Sequence, residues 1–153
     1  MTAEVKLRTL AMQDETLQSY FVGTNGTVRW FDRQLQPGYI NQGTCVRVIR
    51  VSTLFTHTHE TANYRSLNAQ QQPRFQIDVL DTDAERARSA AAAIIDWLAR
   101  IDLSSDAQFA SPVTSPTRHP ITLLNQRAGM EPQTQPPTYV ESLDIRLFDL
   151  QED

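Results

Sequence analysis

The sequence holds a single cysteine, Cys45, so it can form no internal disulfide and no cysteine-based metal centre. One thiol and no bridge suit a reducing cytoplasm. Glycine is also scarce, present only at positions 23, 26, 38, 43 and 129. That scatter excludes a Gly-rich phosphate loop and a dinucleotide-binding fingerprint. No serine stands in a G-x-S-x-G elbow. No run approaches the roughly 20 apolar residues of a membrane-spanning helix, so no membrane role is expected. The opening Met1-Thr2-Ala3-Glu4 has neither the basic nor the apolar region of a signal peptide. Excess positive charge is missing too: 14 Lys and Arg stand against 18 Asp and Glu, a net charge of −4. A nucleic-acid binder needs the opposite balance, because its phosphate contacts require a basic surface.

What is present suits a folded domain. Hydrophobic residues make up 40% and charged residues 21% of the 153 positions, ordinary values for a globular chain. That length supports one core without staples, and no internal repeat or domain boundary is visible. We therefore expect a single domain over 1–153.

Residues 3–21 read as a helical opening. Leu7, Leu10, Leu17, Tyr20 and Phe21 supply its apolar face, and Asp14 is the expected cap of a second short helix after a break near Gln13. Gly23-Thr24-Asn25-Gly26 ends it as a chain reversal. Strands are expected at Thr27–Arg33, Thr44–Phe55 and Arg74–Asp81. The last alternates Phe75, Ile77 and Val79 against Gln76 and Asp78, the period of a half-buried strand. Thr82-Asp83-Ala84-Glu85 is a capping box. From it Ala87, Ala90, Ala91, Ile94, Trp97, Leu98 and Ile101 recur at helical spacing, predicting a helix over 84–100. Two further strands, His119–Arg127 and Thr138–Leu150, flank a Pro-rich turn at Gly129–Pro137. The order α-β-β-β-α-β-β specifies an α+β fold, a single antiparallel or mixed sheet with helices on one face.

Two connections, 56–72 and 102–119, exceed the length a compact domain needs, and loops above about 12–15 residues tend to carry function or remain disordered. The simpler reading is a tolerated surface insertion, since lengthening a loop costs little. Within the first loop Tyr64, Arg65 and Leu67 form a cluster of the kind that anchors an interface.

No catalytic constellation emerges. Cys45 lies inside a strand pattern, where a thiol is structural. His57 and His59 would share one face of a strand and could reach one ion, but zinc needs at least three protein ligands. A third would have to come from His119 or a distant carboxylate, so no metal, cofactor or catalytic residue is assigned. Asp78, Asp81 and Asp83 read as an outward strand residue and two helix-start residues rather than an acid–base pair. The adjacent aromatics Trp30 and Phe31 point to opposite faces of a strand, so both can be buried only if each face is covered. Phe148 raises the same question opposite Leu143, Ile145 and Leu147. A loop over the second face would answer it; so would a subunit interface, where aromatics are enriched. Trp30, His57, His59, Tyr64, Arg65, Leu67 and Phe148 are the candidate interface residues.

The layout resembles the tail-completion, or tail-terminator, proteins of long-tailed bacteriophages. The resemblance runs over nearly the whole chain. It rests on the D-x-x-L-x-x-x-F stretch at Asp14–Phe21 before a Gly turn, and on the strand P-R-F-Q-I-D-V at Pro73–Val79 followed by the Ala- and Arg-rich helix at Ala84–Ala99. The ending Y-V-E-S-L-D-I-R-L at Tyr139–Leu147 completes it. The Gln-rich loop at 56–72 and the Ser/Pro-rich segment at 102–119 depart from the family pattern. The resemblance implies a structural virion protein made in the host cytoplasm, without enzymatic activity. Its copies would form a ring, usually a hexamer, that caps the head-proximal end of the tail tube, stops its growth and meets the head connector. An acidic lumen would let DNA pass without sticking. The alternatives are a head-closure or connector-adaptor subunit at the same junction, or a metal-dependent enzyme using His57 and His59.

Overall fold

The computed structural model describes residues 3–35, 38–56, 70–101, 121–131 and 137–147. The opening helix is two helices. In α1 (Ala3–Ala11) the buried residues Ala3, Leu7 and Ala11 recur every four positions along one face. In α2 (Glu15–Phe21) Leu17 and Phe21 do the same, and Asp14 caps the helix by accepting the Leu17 N–H at 3.0 Å. The reversal at 23–26 closes as expected, with the Gly26 N–H donating to the Gly23 carbonyl and Gly26 in the left-handed region.

Five strands form one mixed sheet in the order β1-β2-β3-β5-β4. β1 (Trp30–Asp32) runs parallel to β2 (Cys45–Thr56), and a single 3-10 turn at Tyr39–Gln42 lies in the connection. β2 pairs antiparallel with β3 (Gln70–Asp81), β3 with β5 (Thr138–Leu147), and β5 with β4 (Ile121–Glu131). α3 (Ala84–Leu98) connects β3 to the far edge. The α+β architecture is the one expected, and the opening helix divides where a break was expected, near Gln13, with Asp14 as the cap of its second part.

Registered partners share a face of a sheet, so the pairing fixes which side chains meet the helices. Val46, Val48, Phe75, Ile77, Val79, Leu143, Ile145 and Leu147 all belong to one core cluster with Leu7, Leu17, Phe21, Ala90, Ala91, Ile94 and Trp97. The alanines of α3 let that helix lie close against the sheet. Three aromatics tie the layers: Trp30 meets Phe21 edge-on at 5.7 Å and Trp97 at 6.1 Å, the favoured geometry for ring quadrupoles. Arg50 follows Val46 and Val48 by regular alternation and pairs with Phe75, so it lies on the helix side, just before a bulge between Arg50 and Ser52. There its guanidinium covers the Phe75 ring at 5.2 Å and grips Glu4 of α1 through two bonds of 2.8 and 2.9 Å.

Several boundaries differ from the expected ones. The cap of α3 is Asp83, accepting the Glu85 N–H at 3.0 Å, and not Thr82. Residues 70–72, assigned to the long connection, are strand paired with Leu54–Thr56. The last strands also shift: β4 extends to Glu131, so Gly129 is strand rather than turn.

Candidate assembly surface

The face of the sheet away from the helices carries a polar row built by register. Arg47, Asp78, Ser142 and Arg127 stand side by side on β2, β3, β5 and β4. Asp78 is the centre of the row and is only 1% exposed. Arg47 donates to its Oδ2 from Nη2 at 2.7 Å and from Nε at 3.1 Å, while Ser142 Oγ and Gln76 Nε2 donate to Oδ1 at 2.7 and 2.8 Å. These donors offset the cost of burying the carboxylate. Arg127 extends the row by donating to Gln76 Oε1 at 3.3 Å.

A second ionic cluster stands at the start of α3. Arg86 clamps Asp81 through two bonds of 2.9 Å, and the Thr44 hydroxyl and the Asp83 N–H donate to the same carboxylate. Burial alone would push the Asp81 carboxyl up; the hydrogen bonds from Arg86, Thr44 and Asp83 outweigh it and hold the carboxyl below its usual range. The same pairing raises Arg86. Nearby, burial pushes the Cys45 thiol up to about 12, against the pull of Arg29. A thiol so placed is protonated and unreactive at neutral pH, in keeping with a structural role. These groups stabilise one another, and none is poised as a free acid, base or nucleophile.

The edge strand β4 is different. Nine consecutive residues, 122–130, are exposed, and Arg127 is the one charged side chain among them. Leu123, Leu124 and Met130 are exposed large hydrophobics here, together with Tyr139, the registered neighbour of Met130 on β5. Beside the start of β4, Ile95, Leu98, Ala99, Ile121 and Leu123 line an apolar cleft of about 230 Å³. Sequence reasoning missed this surface. Its signal was a run with few charges and no alternation, which reads weakly as a strand.

Of the candidate interface residues, Trp30 is a correction. It is 3% exposed, inside the core between Phe21 and Trp97, because the face it points to is the one the helices cover. Its neighbour Phe31 faces the other way and meets Tyr39 edge-on at 5.1 Å, so the connection after β1 covers that side in part. His57, His59, Tyr64, Arg65, Leu67 and Phe148 lie outside the described residues. The last four pairs of β2 with β3, from Thr53↔Pro73 to Thr56↔Gln70, extend past the pairing of β3 with β5. Among the described residues no group of three or more His, Cys, Asp or Glu could hold a metal ion, and no helix is long and apolar enough to cross a membrane.

These features define a class: a single-sheet α+β fold with a polar-locked face and, among the described residues, one sheet edge that nothing covers. A chain of the virion of a native gene transfer agent particle superposes with a TM-score of 0.61 at 17% sequence identity, covering 95% of this chain and 92% of that one. No protein-family model matches the sequence, and no curated protein matches it.

Proposed function

We propose that this chain is a structural subunit of a phage-like particle, acting as a tail terminator. In this reading its copies form a ring, a hexamer by analogy with the family it resembles, at the head-proximal end of the tail tube. The ring stops tube growth and presents a surface to the head connector, and the genome passes through its lumen without specific binding. The observation that carries the reading is the near end-to-end likeness to a virion chain. It coincides with an independent resemblance in sequence, Pro73–Val79 followed directly by α3. The locked ion pairs of the polar face support a building role over a catalytic one.

Within this reading the arm formed by the ends of β2 and β3 is a natural contact with the tube or with a neighbouring subunit. In sequence, His57, His59, Tyr64, Arg65 and Leu67 fall between these two strands, and Phe148 follows β5. Electron microscopy of particles produced without this protein tests the proposal. Overlong tails separate from filled heads are expected. Tails of normal length that fail to join heads would favour a head-closure subunit instead, and normal infectious particles would overturn both.

A further inference from the structure

The two edges of the sheet are unequally protected. At β1 the strand is three residues long, Trp30 is buried, and the preceding Arg29 N–H already donates to the Phe21 carbonyl at 2.8 Å. At β4 an eleven-residue strand pairs on one side with β5, and no described strand pairs with its other side. Natural proteins blunt such an edge with charges, prolines or covering elements. Here residues 122–130 include one charge and no proline.

Gly129 supplies a second observation. It lies within β4, its φ is not in the left-handed region, and a Cβ built on it would meet nothing within 4 Å. The subunit's own packing gives no reason for glycine there, and strand glycines are found at bulges, at bends and where another backbone comes close. The charges on either side are spaced symmetrically: Arg127 stands two residues before Gly129 and Glu131 two residues after it. Antiparallel pairing about a two-fold axis through Gly129 would place Arg127 opposite the second copy's Glu131, twice. Ala128 would face Met130, also twice. A sequence that is self-complementary about one residue is the requirement of an isologous contact.

We propose that the free protein is a two-fold dimer, formed by antiparallel pairing of β4 with β4 of a second copy about Gly129. This contact cannot itself close a ring, which needs a head-to-tail interface, so the dimer is a state of the protein outside the assembled ring and stands or falls apart from the terminator reading. It covers the exposed Met130 and the open row of backbone groups until assembly. Arg47, the neighbour of Glu131 within the subunit, keeps its closer partner Asp78 at 2.7 Å, against 3.5 Å to Glu131.

Light scattering and sedimentation over a concentration series should show a monomer–dimer equilibrium. R127E and E131R should each weaken the dimer about tenfold or more, since each creates two like-charge contacts. The double variant R127E/E131R should restore it. Gly129→Cys provides a second reading that does not depend on affinity. Facing residues of an antiparallel pair have Cα atoms about 4.5–5.5 Å apart, inside the range a disulfide spans, so oxidation should link two copies. Asn125→Cys, four residues from the axis, should not link, and the buried Cys45 does not compete. A strictly monomeric protein would overturn the proposal. So would a dimer indifferent to the charge swap and not captured through residue 129, which would assign β4 to another register or another partner.

Discussion

The two edges of this sheet solve the same problem in opposite ways. β1 is short, and its central aromatic Trp30 is enclosed by Phe21 of α2 and Trp97 of α3. Its edge is closed by the subunit's own core. β4 is long, exposed and almost uncharged, and nothing among the described residues covers its outer side. A chain concerned only with being soluble would not keep such an edge. The difference separates residues that make the fold from residues available to a partner, and substitutions should divide along the same line.

The largest effect belongs to the closed side. Trp30→Glu would bury a carboxylate between the rings of Phe21 and Trp97 and should cost about 4 kcal/mol or more, leaving little folded protein. Trp97→Ala, fully buried at the same junction, should cost about 3–5 kcal/mol. Urea denaturation followed by far-UV circular dichroism measures both. If Trp30→Glu remained folded with near-normal stability, the contrast between the edges would collapse.

Next comes the polar row. Asp78→Ala would leave Arg47 and Ser142 without their shared acceptor and should cost about 2–4 kcal/mol. The same measurement applies, and a loss under about 1 kcal/mol would mean that Arg47 escapes to solvent without penalty. The Asp81 cluster gives a smaller, pH-dependent effect. Its carboxyl is held below the ordinary value, so it contributes stability that is fully present above about pH 4. That contribution declines as pH falls through the lower, folded-state value. Asp81→Asn should therefore lower stability at neutral pH and flatten the acid limb of the stability curve; an acid limb identical to that of the wild-type protein would contradict the pairing with Arg86 and Thr44.

What the sequence revealed, and what it hid, follows the same division. α3 was legible because its apolar residues repeat with one period and a cap precedes them; only the cap was displaced by one residue, since Thr82 and Asp83 both offer an oxygen. β3 was legible because Phe75, Ile77 and Val79 alternate strictly against polar residues. The facing of Trp30 and Phe31 was not, since strand geometry separates two neighbours without saying which side the helices occupy. The Arg47–Asp78–Ser142 row joins residues 31 and 64 positions apart, and such a row exists only once register is set. β4 was shifted because a strand exposed on both faces has no reason to alternate, so Leu123-Leu124-Asn125-Gln126 carries no period to read.

The smallest expected effect on stability is the sharpest test of the open edge. Met130 is 51% exposed and Leu124 38% exposed, so neither owes the core much of its side chain. Met130→Lys and Leu124→Glu should each change folding stability by within about 0.5 kcal/mol, the usual range for surface positions. The lysine or glutamate should also make the edge a poorer template for pairing, because charged side chains are how sheets discourage it. The expected outcome is therefore a protein with unchanged denaturation midpoint and circular dichroism but weaker self-association and lower yield of complete particles. Two results would count against it. A loss above about 1.5 kcal/mol would show that β4 is buttressed by the subunit and belongs to its fold. Unchanged stability together with unchanged association and particle yield would show that the edge is bare in the working assembly, and that the contacts of this protein lie elsewhere on its surface.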